Sequence, residues 1–288
     1  MKYKEIIPVV NEIFSQYSYA LTIRQIYYRL ISDPYNLFSN TRSMYNSLDR
    51  ILVRARERGE IDGNKIEDRT RQTIGGDQGW EGPVSYLEKV SEYIKSCWQK
   101  YSKEVWASQQ FKLELWVEKD ALASVINETT HLFRVLVFPS RGYSSYTKIK
   151  EALERLKYYR NKQIIILHLA DHDPSGFDMT EDLINRFEKY GDDAIEIKRI
   201  GLNYEQVERF NLRPNPVKVA DSRALSYIGR YGEECWELDA LPPNELQNIV
   251  EKEINNYIDQ KAWDAKLEEI EEEREEIRDK IEEMWKGF

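Results

Sequence analysis

The sequence predicts an α/β protein: a mostly parallel sheet flanked by helices, preceded by a helical module and followed by a highly charged helix. Three observations lead there. Between Phe111 and Gly201 short apolar runs alternate with amphipathic stretches, which reads as strands alternating with helices. Before them come successive amphipathic stretches with no strand pattern between them. After them, Glu251 to Phe288 holds 14 acidic and 7 basic residues around a thin apolar seam.

In order along the chain, residues 4–17 place Ile6, Val9, Val10, Ile13 and Phe14 at helical spacing. Thr22 then serves as N-cap for a second helix, "TIRQIYYRLI", whose apolar face is Ile23, Ile26, Tyr27 and Leu30. On it Arg24 and Tyr28 are one turn apart and share a face, with Tyr28 expected at the surface. A third helix is expected from about Thr41 to Arg58, with Met44, Leu48, Ile51, Leu52 and Ala55 inward and Gly59 as its stop. Arg42, Arg50, Arg54 and Arg58 fall at multiples of four along its other side. Helix, turn and basic helix fit a winged-helix module that lays its last helix on DNA; a solvated Arg face has the same pattern.

The Gly-rich "TIGGDQGWEGP", Thr73 to Pro83, marks a loop or hinge, and a polar helix from about Val84 to Trp106 leads onward. The α/β region then reads as strand "FKLELWV", a helix after Asp120, strand "RVLVFP", a helix from Ser144 to Tyr159, strand "QIIILHLAD", a helix from Phe177 to Tyr190 and strand "AIEIKRIG". In the last helix, "AWDAKLEEIEEEREEIRDKIEEMW", Trp263, Leu267, Ile270, Ile277, Ile281 and Met284 form a near-heptad seam interrupted by Arg274. Such a helix pairs with another copy or folds back, and the charged seam position favours fold-back. The expected organisation is a DNA-binding module over 1–80, a connecting helix over 81–108, the α/β domain over 109–250 and the charged helix over 251–288.

Composition narrows the function. Hydrophobic residues make up 41% of the 288 and aromatics 12%, enough for a core in two domains. No run approaches the roughly 18 apolar residues of a membrane span. The start "MKYKEIIPVVNEIF" shows no secretory signal, so a cytoplasmic protein without membrane contact is expected. Cys97 and Cys235 have no CxxC spacing and only His131, His168 and His172 accompany them, so a metal here would be held by oxygen. Net charge is −9, but the segment from Glu251 onward carries −7 of it, while Leu21 to Arg71 holds 10 basic against 7 acidic residues.

Ligands of open α/β sheets bind beyond the carboxyl ends of strands. Three acids stand there: Glu118 after "LELWV", and Asp171 and Asp173 after "IIILHLA". Residues two apart in extended chain point the same way, so Asp171 and Asp173 converge, and their mutual repulsion is relieved by a proton or a cation. A hard divalent ion such as Mg2+, with Mn2+ able to substitute, suits that donor set. Pro174 and Gly176 force a sharp exit that keeps the acids uncovered. An Asp beyond a strand also caps the next helix, a role open to Asp173 or Ser175.

"VEKDALASVI" (Val117 to Ile126), "RGYSS" (Arg141 to Ser145) and "LADHDPSG" (Leu169 to Gly176) resemble, in this order, the Toprim domain of the Spo11 and topoisomerase VI A-subunit family. "TIRQIYYRL" resembles that family's catalytic-tyrosine helix, and "ELDAL", Glu237 to Leu241, a further segment near the end of its domain. The chain is short for the family, its "SRGYSS" follows the glycine-containing loop loosely, and nothing marks a surface for an ATPase subunit.

The resemblance implies that Tyr28, assisted by Arg24, attacks a DNA phosphodiester while Glu118, Asp171 and Asp173 hold Mg2+. It also implies a homodimer acting on double-stranded DNA, the tyrosine of one subunit meeting the metal of the other; an ATPase or other activating subunit stays open. Arg42, Arg50, Arg54 and Arg58, with Lys119 and Arg141 near the metal, are the expected phosphate contacts. The alternatives are a Toprim endonuclease in which water attacks, and a DNA-binding module without catalysis.

Overall fold

The structure, a computed structural model, describes residues 3–67, 79–191 and 195–286. Most of the Gly-rich stretch read as a hinge lies outside the described residues. The first half of the chain supplies α1 (Tyr3–Ser15), α2 (Ile23–Ile31), α3 (Arg42–Glu57), α4 (Pro83–Ser96), β1 (Phe111–Val117), α5 (Asp120–Thr130), β2 (Leu136–Pro139) and α6 (Tyr146–Leu156). The second supplies β3 (Gln163–Leu169), α7 (Pro174–Tyr190), β4 (Ile195–Gly201), α8 (Tyr204–Arg209), β5 (Asn215–Pro216), α9 (Ala224–Tyr231), β6 (Glu234–Cys235), α10 (Pro243–Asn255) and α11 (Gln260–Lys286). The chain is thus a mixed α/β protein whose central sheet is parallel. No helix among the described residues is long and apolar enough to cross a membrane.

One compact unit joins the described residues up to 67 with Leu113–Asn256. Its four strands lie in the order β2-β1-β3-β4, with Glu114 opposite Leu136 and Ile164 opposite Ile195. After β1 the chain steps one way to β2, then crosses back over β1 to β3. The winding therefore reverses between β1 and β3, and their carboxyl ends flank the crevice where α/β sheets hold ligands. Pairing continues past the strands: Glu118 N–H donates to Leu169 O at 2.9 Å and Ala170 N–H to Gly201 O at 2.9 Å. One face of the sheet is sealed by Trp116, Ile149, Ala152, Leu156, Ile164, Ile166, Leu183 and Phe187, all buried.

Local chemistry sets the helix ends near the crevice. Thr22 and Gln25 form a reciprocal capping box at the start of α2. Thr41 Oγ1 accepts from Met44 N–H at 3.3 Å to start α3, and Gly59, with φ of +68°, ends it. Helix α7 begins at Pro174 rather than Phe177, because a proline at the first helical position loses no hydrogen bond there. Any side chain at Gly176 would collide with the Asp171 carbonyl, so only glycine permits this tight strand-to-helix turn.

The second compact unit joins the described residues 79–112 with 257–286. Within it α4 stops at Ser96, short of the expected Trp106, and Trp106 makes a buried edge-on contact with Trp263 at 5.4 Å. Helix α11 folds back on the Tyr101–Trp106 segment, and its charged seam residue Arg274 donates from Nε to Tyr101 O at 2.9 Å. The interruption in the heptad is thereby a satisfied contact.

His168, buried between β3 and α7, keeps Nδ1 3.0 Å from Thr180 Oγ1, and burial followed by the Arg199 charge pushes its pKa down to about 3. An unfolded histidine titrates near 6.5, so between about pH 6.5 and 3 the unfolded chain binds the extra proton. Stability therefore falls with falling pH in that window, by up to about 1.4 kcal/mol per pH unit for this group. Urea unfolding at pH 7 and pH 5 should show His168→Gln losing less stability than wild type across that interval.

Candidate active site

Three carboxylates at the crevice are the ones the sequence singles out. Glu118 follows β1 and Asp171 follows β3, and Glu118 Oε2 accepts the Asp171 N–H at 3.1 Å. Burial, then the Asp171 charge, pushes the Glu118 carboxyl up to about 7. Asp171 is also raised by burial, against the pull of Lys119 and the Leu238 N–H. Its Oδ1 takes that N–H at 2.7 Å and the Lys119 ammonium at 2.9 Å. Asp173 is the N-cap of α7, its Oδ1 accepting Gly176 N–H at 2.7 Å.

Two further acids complete the centre. Glu237 and Asp239, in the turn containing Leu238–Ala240, each lie 3.0 Å from Lys119 Nζ. Lys119, placed among the phosphate contacts by sequence, is thus committed to Asp171, Glu237 and Asp239. Burial alone would lower its pKa, but Asp239, Asp171 and Glu237 hold it well above the usual lysine range. Arg24 reaches the same pair, with one guanidinium nitrogen on Glu237 and Nε 3.4 Å from Asp239 Oδ2. In sequence this segment stands out only through the resemblance of "ELDAL", which by itself gives neither acid a role.

Arg199, on β4, has no distinguishing signal in the sequence. It donates to the carbonyls of Ala170, Asp171 and Leu202 at 3.1, 2.7 and 3.1 Å and to Gly176 O at 3.0 Å, with its guanidinium 4.4 Å from the Phe177 ring centre. It pins the turn that carries Asp171 and Asp173 from behind. Burial lowers its pKa to about 10, while Glu118, Asp171 and Asp173 oppose the fall.

Tyr28 is not at the surface. It is 3% exposed, because the segment around Asn215 covers a face that helical periodicity left open. Burial, then the Glu237 charge, pushes its phenol up to about 12, while Asn215, Arg24 and Lys119 pull the other way. Its ring lies 6.0 Å from the Arg24 guanidinium. Tyr28, Arg24, Arg42, Lys218, Asp173 and Glu237 all line one cleft of about 710 Å³ within a single chain.

Of the remaining expected phosphate contacts, Arg42 lines that cleft and the others are not among its lining residues. Arg50 and Arg54 are exposed on α3, as are Arg42 at its first turn and Arg58 at its C-cap. Arg141 is exposed in the β2–α6 loop and donates to Asp120 Oδ2 at 2.7 Å. Among the described residues no three carboxylate, imidazole or thiol groups stand together as a ready ligand set, since Asp171 and Asp173 are turned to backbone N–H groups. The donor chemistry nonetheless fits a hard divalent ion. Glu118, Asp171, Asp173, Glu237 and Asp239 outnumber Lys119, Arg24 and Arg199, and buried Asp239 Oδ1 has no hydrogen-bond partner.

Removing Lys119 leaves three carboxylates without their shared cation. Lys119→Met should lower stability at neutral pH by about 3–5 kcal/mol in urea unfolding. The loss should be smaller in an Asp171→Asn background, because the two residues are coupled. No protein-family model matches this chain, and a search of curated proteins returns no match.

Proposed function

We propose that this protein cleaves DNA by metal-dependent phosphodiester chemistry of the Spo11 and topoisomerase VI A-subunit kind, with a winged-helix module before a Toprim-type sheet. The observation that carries the reading is the docking of Arg24 of α2 onto Glu237 and Asp239, the acids that share Lys119 with Asp171, with Tyr28 and Asp173 in one cleft.

In this reading Tyr28 Oη attacks phosphorus; its bond to phosphorus forms as the bond to a sugar oxygen breaks. The phenol gives up a proton and the leaving sugar oxygen gains one. The phosphotyrosine keeps the energy of the phosphodiester, so resealing requires no ATP. Glu118, Asp171 and Asp173 would hold Mg2+ or Mn2+, which supplies charge neutralisation at the phosphate and the leaving oxygen when bound. Arg24 steadies the phosphate beside the phenol, exchanging part of its contact with Glu237. Arg42, Arg50, Arg54 and Arg58 track the DNA backbone, and a homodimer would bring two clefts to the two strands.

A second reading has water as the nucleophile and free ends as product. The burial of Tyr28, with its phenol at about 12, favours it, since a protonated phenol is a weak nucleophile.

Supercoiled plasmid incubated with protein and Mg2+ or Mn2+, quenched with detergent and run with and without protease, separates the two. Protein-linked ends lost in Tyr28→Phe are expected; free ends untouched by that substitution establish hydrolysis, and no cleavage at all rejects both. Arg50→Ala with Arg54→Ala should weaken DNA binding and reduce the slope of log affinity against log salt by about 2. An unchanged slope would remove α3 from the DNA interface.

A further inference from the structure

The inference concerns Asn215 and rests, for its catalytic consequence, on the tyrosine reading above. Asn215 begins β5, where pairing opposite Cys235 on β6 fixes its backbone. Its amide lies between two partners: Asn40 Nδ2 donates to Asn215 Oδ1 at 2.8 Å, and Asn215 Nδ2 donates to Tyr28 Oη at 3.2 Å.

Which end of an amide faces which neighbour is settled by the neighbours. The Pro214 carbonyl can only accept, and it lies 3.4 Å from Asn40 Nδ2. On the other side the Tyr27 hydroxyl accepts the Thr41 N–H at 2.8 Å, and its one proton can go to the Thr41 carbonyl at 3.0 Å or to Asn40 Oδ1 at 3.3 Å. The Pro214 carbonyl turns the Asn40 amino group toward Asn215, and the Tyr27 hydroxyl is compatible with that orientation. Asn215 must then present its oxygen to Asn40 and its amino group to Tyr28. A phenol oxygen that accepts a hydrogen bond directs its own proton elsewhere, and the cleft lies in front of it.

We infer that Asn215 is a positioning residue for Tyr28: a donor fixed through Asn40 that orients the phenol, turns its proton toward the cleft and stabilises the phenolate as it attacks phosphorus. The charged groups acting on the phenol are Glu237, which opposes ionisation, and Arg24 and Lys119, which favour it. Both cations are engaged by Glu237 and Asp239, which leaves Asn215 as a neutral donor in direct contact with the oxygen.

The test places a fluorinated tyrosine, whose phenol titrates nearer neutrality, at position 28 and follows its phenolate absorbance with pH in the full chain, without DNA. Asn215→Leu and the smaller Asn215→Ala should each move the midpoint up by about one pH unit. The same probe at position 45 should not move with Asn215→Leu, which distinguishes a lost hydrogen bond from a disturbed fold. In the protein with natural tyrosine, Asn215→Leu should slow formation of the protein–DNA link about tenfold at saturating DNA, with DNA affinity unchanged. A midpoint at position 28 unmoved in both variants overturns the inference, and a moved midpoint with an unchanged rate overturns its catalytic part. If Tyr28→Phe leaves cleavage intact, the tyrosine reading fails, and the titration still decides whether Asn215 orients the phenol.

Discussion

Carboxylates gathered at the ends of two neighbouring strands must be neutralised, and the Lys119 ammonium, shared among Asp171, Glu237 and Asp239, does most of that. Three parts of the fold depend on this contact. It ties the β1 end to the β3 end, it brings the Glu237–Ala240 turn over the crevice, and through Glu237 and Asp239 it gives Arg24 an anionic surface on which α2 docks. Taking such ions out of water costs several kcal/mol each, so the arrangement holds only because each charge has a close partner. Arg199 supplies a third positive charge behind the turn while its donors occupy backbone carbonyls.

The same balance gives the centre its chemical character. Burial, then the Asp171 charge, raises the Glu118 carboxyl, and the excess of acid over base is one that a further cation would relieve. It also works against ionisation of Tyr28, through Glu237. Binding of a divalent ion and of a phosphate would alter both terms at once, since each changes the charge that the phenol senses. Tyrosine chemistry and hydrolysis therefore place opposite demands on one set of side chains, and the hydrogen bond from Asn215 is the neutral contribution on the tyrosine side.

Much of this was legible in sequence because it is local. The four strands of the central sheet follow from runs of apolar residues, the starts of α2 and α3 from Thr22 and Thr41, and the placement of Glu118, Asp171 and Asp173 from their positions just past strands. What escaped is set by contacts distant in sequence. Tyr28 belongs to an exposed helical face by periodicity, yet residues 187 positions away cover it. Lys119 looked like a phosphate ligand because two of the three acids that surround it, Glu237 and Asp239, lie more than a hundred residues downstream. Arg199 sits in a strand whose pattern reads simply as amphipathic, and β5 and β6 are only two residues each, too short for any periodic signal. Asp173 performs the helix-capping role that the sequence left open beside metal binding.

The most direct measurement of the central claim is anomalous diffraction from crystals of the protein soaked in Mn2+, recorded at an energy where manganese scatters anomalously. The account predicts a peak bounded by Glu118, Asp171 and Asp173, with the Asp173 side chain released from Gly176, and loss of that peak in Asp171→Asn. A peak elsewhere, or none in crystals whose Glu118, Asp171 and Asp173 remain as they stand here, would contradict a divalent-ion centre at the ends of β1 and β3.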